Sequence, residues 1–277
     1  MNQLKKRIEN AFQNNASKKE ALHCFQELKD RLNSGTVRAA EKIDGHWVVH
    51  AWVKQGILLG FRQGILKEMS IDRRFTFYDK DTYPLKTVRL KDKIRMVPGG
   101  SSVRDGCYIG KNVVVMPPSY INVGAYVDEN TMVDSHVLVG SCAQIGKRVH
   151  LSAGTQIGGV LEPVGSIPVI VEDDVLVGGN CGIFEGVVVS EKAVIGAGTI
   201  LTGSTPIYDL VHDTIYRKTE KQPLVVPSAA VVVPGTRPLT HGKGQELGLS
   251  IYTPIVIKYR DRKTEKSTRF ETLLRQD

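Results

Sequence analysis

One side chain in this sequence stands where it could act on a small charged molecule: Asp134, which closes the tetrapeptide "TMVD". A carboxylate can bind an ammonium group and orient it. It can also accept the proton if partial burial lifts its pKa above the usual value of about 3.9. The plain alternative is an aspartate in a solvated turn. His136 and His150 are further candidate bases, but they lack the close HxxxxH spacing of a zinc site, so no metal is expected. The cysteines (Cys24, Cys107, Cys142 and Cys181) form no CxxC pair and no framework spacing, which predicts free thiols.

The elements that must hold these groups are written as a period of six. Positions 97, 103, 109, 115, 121, 127, 133, 139, 145, 151 and 157 are all Val, Ile or Leu. The ladder restarts at Val171 and continues through 177, 183, 189, 195, 201 and 207. Small or β-branched residues recur four places after each rung, among them Cys107, Ala125, Thr131 and Ala143. Six is neither a helix nor a strand period; a repeated hexapeptide predicts a parallel β-helix, each hexad giving one short strand and one turn. Three hexads then make a coil of eighteen residues, with coils stacked about 4.8 Å apart. Irregular strands in a sandwich would instead show period-two alternation and uneven loops. Val133 points inward in this scheme, so Asp134 points out. Cys107 and Cys181 fall on the small inward position, whereas Cys142 does not.

The ladder is broken twice. Eight extra residues, 163–170, form an inserted loop, which marks a functional excursion from a regular solenoid. Residues 208–224 read as an arm, after which Val225 and Val231 return in phase. Before the ladder, residues 1–96 form a mostly helical domain: "LKKRIENAF" and "KKEALHCFQELKDRLNSG" carry helical spacing, with Gly35 stopping the second helix. The β-helix is expected over 97–245, followed by a strand extension over 246–277.

Charge follows these divisions. Residues 1–96 carry 20 basic and 11 acidic side chains, 97–208 carry 5 and 10, and 209–277 carry 12 and 8, for a net +8. The basic residues alternate with acids and form no stripe, which argues against nucleic acid and for attraction of small anions. With no apolar stretch for a signal peptide or membrane span, a cytoplasmic protein without membrane contact is expected.

The blocks "AEKIDGHWVVHAWVKQGILLGFR" and "SYINVGAYVDENTMVDSHVLVGSCAQIGKRVHLSAGTQIGGVLEP" resemble the tetrahydrodipicolinate N-succinyltransferase family, of the hexapeptide-repeat acyltransferases. The resemblance runs from Met1 to about Lys263. It implies a left-handed parallel β-helix, a homotrimer, and succinyl transfer from succinyl-CoA to the amino group of an amino-ketodiacid in lysine and diaminopimelate synthesis. The acyl-CoA would be a co-substrate, with no tightly bound cofactor. The family's substrate contacts fall on Arg95, inside "KIRMVP", and on Asp134, Asp134 also being catalytic. The planar guanidinium fork would clamp a carboxylate through two parallel, charge-assisted hydrogen bonds, the plain alternative being a surface arginine. Oxyanion donors would be backbone N–H groups of glycine-rich turns. One departure is that Gly182, in "GGNCGIFEG", stands where relatives have a second carboxylate, while Glu185 is retained. The inserted loop is expected to cover the acyl donor, with the basic run "KYRDRK" near its phosphates. Acetyl-CoA-dependent N-acetyl transfer and a non-catalytic scaffold are the alternatives.

Overall fold

A computed structural model describes residues 2–14, 16–220 and 222–261. Helices α1 (Asn2–Gln13), α2 (Lys18–Asn33) and α3 (Ala51–Gln63) build the N-terminal unit, with a hairpin of Ala40–Ile43 and His46–Val49 preceding α3. Helical spacing puts Leu4, Ile8 and Ala11 of α1 on one buried face, and Ala21, Cys24, Phe25, Leu28 and Leu32 on that of α2. The Ser17 hydroxyl caps α2 by accepting the Glu20 N–H, and Gly35 follows its end at a φ of +72°.

The hexads form three parallel faces of two-residue strands. Met132–Val133 lies between Val114–Val115 and His150–Leu151, so partners are eighteen residues apart. Val115, Val133, Leu151, Val177 and Ile195 stack inside one face and are fully buried. Each such side chain contributes about 1.5–3 kcal/mol relative to exposure. Polar residues at the inward corner are satisfied by the next coil: Thr131 Oγ1 donates to the Gly146 carbonyl and accepts the Val149 N–H. Left-handed residues such as Asn112, Asn130 and Asn180 turn other corners.

The expected ladder slips by one residue at each end. Met96, not Val97, pairs with Val115 and packs on the core, and Gly99 and Gly100, at φ +138° and +95°, absorb the extra residue before Val103. After the arm, Val226 and Val232, not Val225 and Val231, align with Val189 and Ile195. Met96–Val97 and the valine runs 225–226 and 231–233 each offer adjacent apolar residues, so hydrophobic pattern alone gives either phase; the point where the chain enters the sheet decides it.

The arm leaves as an antiparallel pair, Ile207–Asp209 with Thr214–Tyr216. The long strand Ala230–Pro238 extends one face and pairs antiparallel with Ser250–Tyr259, which also lies beside Ile207–Asp209. The run "KYRDRK" is described only to Asp261; Arg262 and Lys263, like the rest of the C-terminal extension, lie outside the described residues. Among the described residues, no helix is long and apolar enough to cross a membrane.

Candidate functional site

Arg95 and Asp134 lie on the same face of the coil. The Arg95–Met96 strand pairs with Val114–Val115, which pairs with Met132–Val133, two coils from Arg95 to Asp134 and so about 10 Å along the axis. Arg95 is exposed on the outward column that continues through Val114, Met132 and His150. Asp134 begins the next corner with its side chain 33% exposed. Its Oδ1 accepts the Ser135 N–H at 2.7 Å, and its backbone carbonyl accepts the Ser119 hydroxyl at 2.6 Å. Ser119 in turn accepts the Val137 N–H, so the corner beneath Asp134 is fixed by a small buried hydroxyl.

Neighbouring coils also bring His150 to Asp134, with Nε2 and Oδ2 3.9 Å apart. That separation exceeds a hydrogen bond. His150 is almost wholly buried, whereas His136 turns an exposed corner at a φ of +60° and does not join the pair. Only the eighteen-residue register could have put His150 beside Asp134, since it is paired with Met132 directly across the ladder.

A second feature lies at another corner. The inserted loop (Pro163 to Ile167), the arm (Lys218, Glu220 and Pro223) and the coil around Phe184 enclose a cavity of about 760 Å³. Its lining carries one cation, Lys218 of the arm, which was not singled out in the sequence, against three carboxylates, Glu162, Glu185 and Glu220. This corner follows the face of Gln156–Ile157 and Gly182–Ile183, while Asp134 precedes that face. A single chain therefore does not bring the cavity and the Arg95–Asp134 face together. Among the described residues, no cluster of three His, Cys, Asp or Glu could hold a metal ion.

The glycine at 182 has a physical reason. A Cβ built there would stand 2.4 Å from the Phe184 ring, and one on Gly158, in the neighbouring coil, 2.8 Å from it. The phenyl ring thus lies across two glycines and fills the space a side chain at 182 would take. Glu185, which lines the cavity, does not take the place of a side chain at 182: its backbone is left-handed, and its Oε2 accepts the Gly203 N–H at 3.0 Å.

Cys107 and Cys181 line the coil interior as expected. Cys142, which the hexad pattern left unexplained, turns a corner at φ +66° and packs with Val123 into the helical unit's core. It is part of the joint between the two units. Burial pushes its thiol up to about 12, so it stays protonated.

The stacked hexads define a hexapeptide-repeat protein. Family models described as "Tetrahydrodipicolinate N-succinyltransferase N-terminal" and "Hexapeptide repeat of succinyl-transferase" match residues 3–63 and 168–203. The 2,3,4,5-tetrahydropyridine-2,6-dicarboxylate N-succinyltransferase of Acinetobacter baylyi is 44% identical, with 100% of both chains covered. Enzymes of the same name from Idiomarina loihiensis and Sodalis glossinidius are 44% and 41% identical; the first covers 89% of this chain and 86% of its own, the second 99% of each. The chain belongs to the tetrahydrodipicolinate N-succinyltransferase family.

Proposed function

We propose that this protein transfers the succinyl group of succinyl-CoA to the amino group of tetrahydrodipicolinate, in its open amino-ketodiacid form, for diaminopimelate and lysine synthesis. Arg95 binds one carboxylate of the amine substrate through its fork. Asp134 receives the substrate ammonium and takes its proton. The freed amine lone pair attacks the thioester carbonyl carbon, and backbone N–H groups of the corner turns stabilise the oxyanion. Asp134 passes the first proton to water and then accepts the second from the nitrogen of the tetrahedral intermediate. The intermediate collapses to the amide as the CoA sulfur takes that second proton from Asp134 and leaves as a thiol. No covalent enzyme intermediate or metal is required, and acyl-CoA is the only cofactor-like reactant.

The observation that carries this reading is the outward Asp134 carboxylate, partly exposed and beside buried His150, on the same face as Arg95. The acyl donor occupies the cavity between inserted loop and arm. Because that cavity and Asp134 stand at different corners of the prism, a complete site needs a second copy of the chain beside the first. A cyclic homotrimer in the cytoplasm supplies that arrangement three times over. Thiol release from succinyl-CoA or acetyl-CoA, with 2-aminopimelate as acceptor, tests the reading. Release dependent on both succinyl-CoA and the amine is expected. Preference for acetyl-CoA would overturn the donor, and no release with either would leave a scaffold.

A further inference from the structure

Lys54 is the residue whose place in the molecule the transfer reaction does not explain. It lies in α3 with no exposed surface, among a core that includes Trp52, Val53, Ile57 and Cys142. Lysine is almost never fully buried without a partner, because removing its charge from water is costly. Burial accordingly holds its pKa below the ordinary lysine value. Cys142, the titratable group that acts on it, is kept protonated by its own burial and supplies no countercharge. Methionine has nearly the same length and flexibility and would fill the space without that penalty, so packing gives no reason for an ammonium here.

The bond it makes gives one. Lys54 Nζ donates to the backbone carbonyl of Ser166, 112 residues further along the chain, at 2.5 Å. Ser166 belongs to the inserted loop, where its N–H closes a turn onto the Pro163 carbonyl, and it lines the 760 Å³ cavity. The loop thus carries a turn of its own, and a charge rooted in the helical core grips that turn from behind. A charge-assisted bond to a carbonyl is roughly twice as strong as a neutral one.

We propose that Lys54 is a positioning residue: its ammonium ties Ser166 to the helical core and so fixes the loop wall of the cavity against which the acyl donor binds. This rests on the reading that the donor occupies that cavity. Lys54 touches neither donor nor amine, so its effect falls on donor affinity and leaves the chemistry at Arg95 and Asp134 alone.

The test is Lys54→Met in the full-length chain. The KM for succinyl-CoA should rise about tenfold, while kcat and the KM for the amine stay within about twofold. The melting temperature should hold or increase, because a buried charge has been replaced by an apolar group of similar shape. Amides of residues 164–167 should exchange hydrogen faster. A lysine that merely supports the fold would instead lower the melting temperature and leave the two KM values in step; that result, or an unchanged donor KM, overturns the proposal. If Lys54→Met does not fold, Lys54→Gln is read by the same criteria. Failure of both to fold would make the lysine structural and also overturn it. A control replaces residues 163–170 by a two-residue turn. An unchanged donor KM there removes the donor from this cavity, and the proposal falls with that reading. A raised donor KM in the control alone leaves the cavity assignment standing and removes only Lys54.

Discussion

Two aspartate–histidine pairs in this chain have opposite constructions. Asp134 is one-third exposed, accepts one backbone N–H at its side chain, and faces buried His150 across 3.9 Å. Asp209 has no exposed side-chain surface, and its histidine, His212, is more than half exposed. Oδ1 of Asp209 accepts the N–H groups of Val211 and His212; Oδ2 accepts the hydroxyls of Tyr259 and Tyr216 and lies 3.1 Å from His212 Nδ1. Burial alone would raise the Asp209 pKa, but the Tyr259 hydroxyl and the two backbone donors outweigh it and bring it to about 2. A carboxylate so fully engaged can neither reach a substrate nor take its proton. Asp134 keeps that capacity because its surroundings make few claims on it. Residue type is the same in both pairs, and the number of donors committed to the carboxylate separates chemistry from architecture.

The sharpest way to break this contrast is Asp134→Asn, which keeps the shape and removes the charge and the proton acceptor. We expect kcat to fall by about 10²-fold or more with the melting temperature unchanged. A near-wild-type kcat would take Asp134 out of the mechanism and shift attention to His150. Asp209→Asn should do the reverse. Stability should drop by about 2 kcal/mol or more, measured by urea denaturation, while kcat per folded molecule is retained. The same pair should separate by pH. A carboxylate whose folded pKa is depressed contributes stability that is complete above its unfolded value and disappears as pH falls through the folded one. For Asp209 that window runs from the ordinary 3.8 down to about 2. Wild-type stability should therefore fall more steeply than that of Asp209→Asn across this range, and parallel curves would refute the assignment.

Arg95→Lys sharpens the comparison on the substrate side. Charge is kept and the fork lost, so the amine's KM should rise about tenfold with kcat little changed. Mixtures of Asp134→Asn with a variant lacking the loop 163–170 should regain activity if the chain assembles and shares its site between subunits, since the two defects then need not fall in one site. No recovery after confirmed subunit exchange would place both parts in one chain. The smallest effect belongs to His212→Gln: with its ring largely in water, a loss of about 0.5 kcal/mol or less is expected.

The coil was legible because each hexad repeats one demand, an aliphatic inward and a small residue at the corner, and the demand is local. Its phase at the ends was not, since "VV" at 225–226 and 231–232 satisfies the pattern either way. Asp134 could be read as outward-facing from Val133 alone. Its partner His150 needed the pairing of adjacent coils, and Asp209 drew no attention because its donors come from the adjoining turn and from two other strands, one of them some fifty residues away. Lys54 and Ser166 were equally hidden, being joined across 112 residues by a bond to a backbone carbonyl. Gly182 was visible only as a missing carboxylate; the ring of Phe184 that occupies its space is a fact of packing.

The antiparallel strands at the far end of the coil also bear on how the molecule stays finite. A stack of parallel rungs ends in open backbone donors and acceptors, which is a template for another stack. Here the last coils are overlaid by Ala230–Pro238 and Ser250–Tyr259, running against each other. At the base, Lys86 donates to the Val103 carbonyl and Asp105 to that of Pro84, where an isolated antiparallel bridge joins Leu85 to Arg104. On one face at each end the chain's direction or register thus does not match the next rung, which hinders end-to-end addition there. Truncation after residue 206 would uncover the upper edge and turn a discrete enzyme into a subunit that adds to its own kind, seen as elongated particles in electron micrographs.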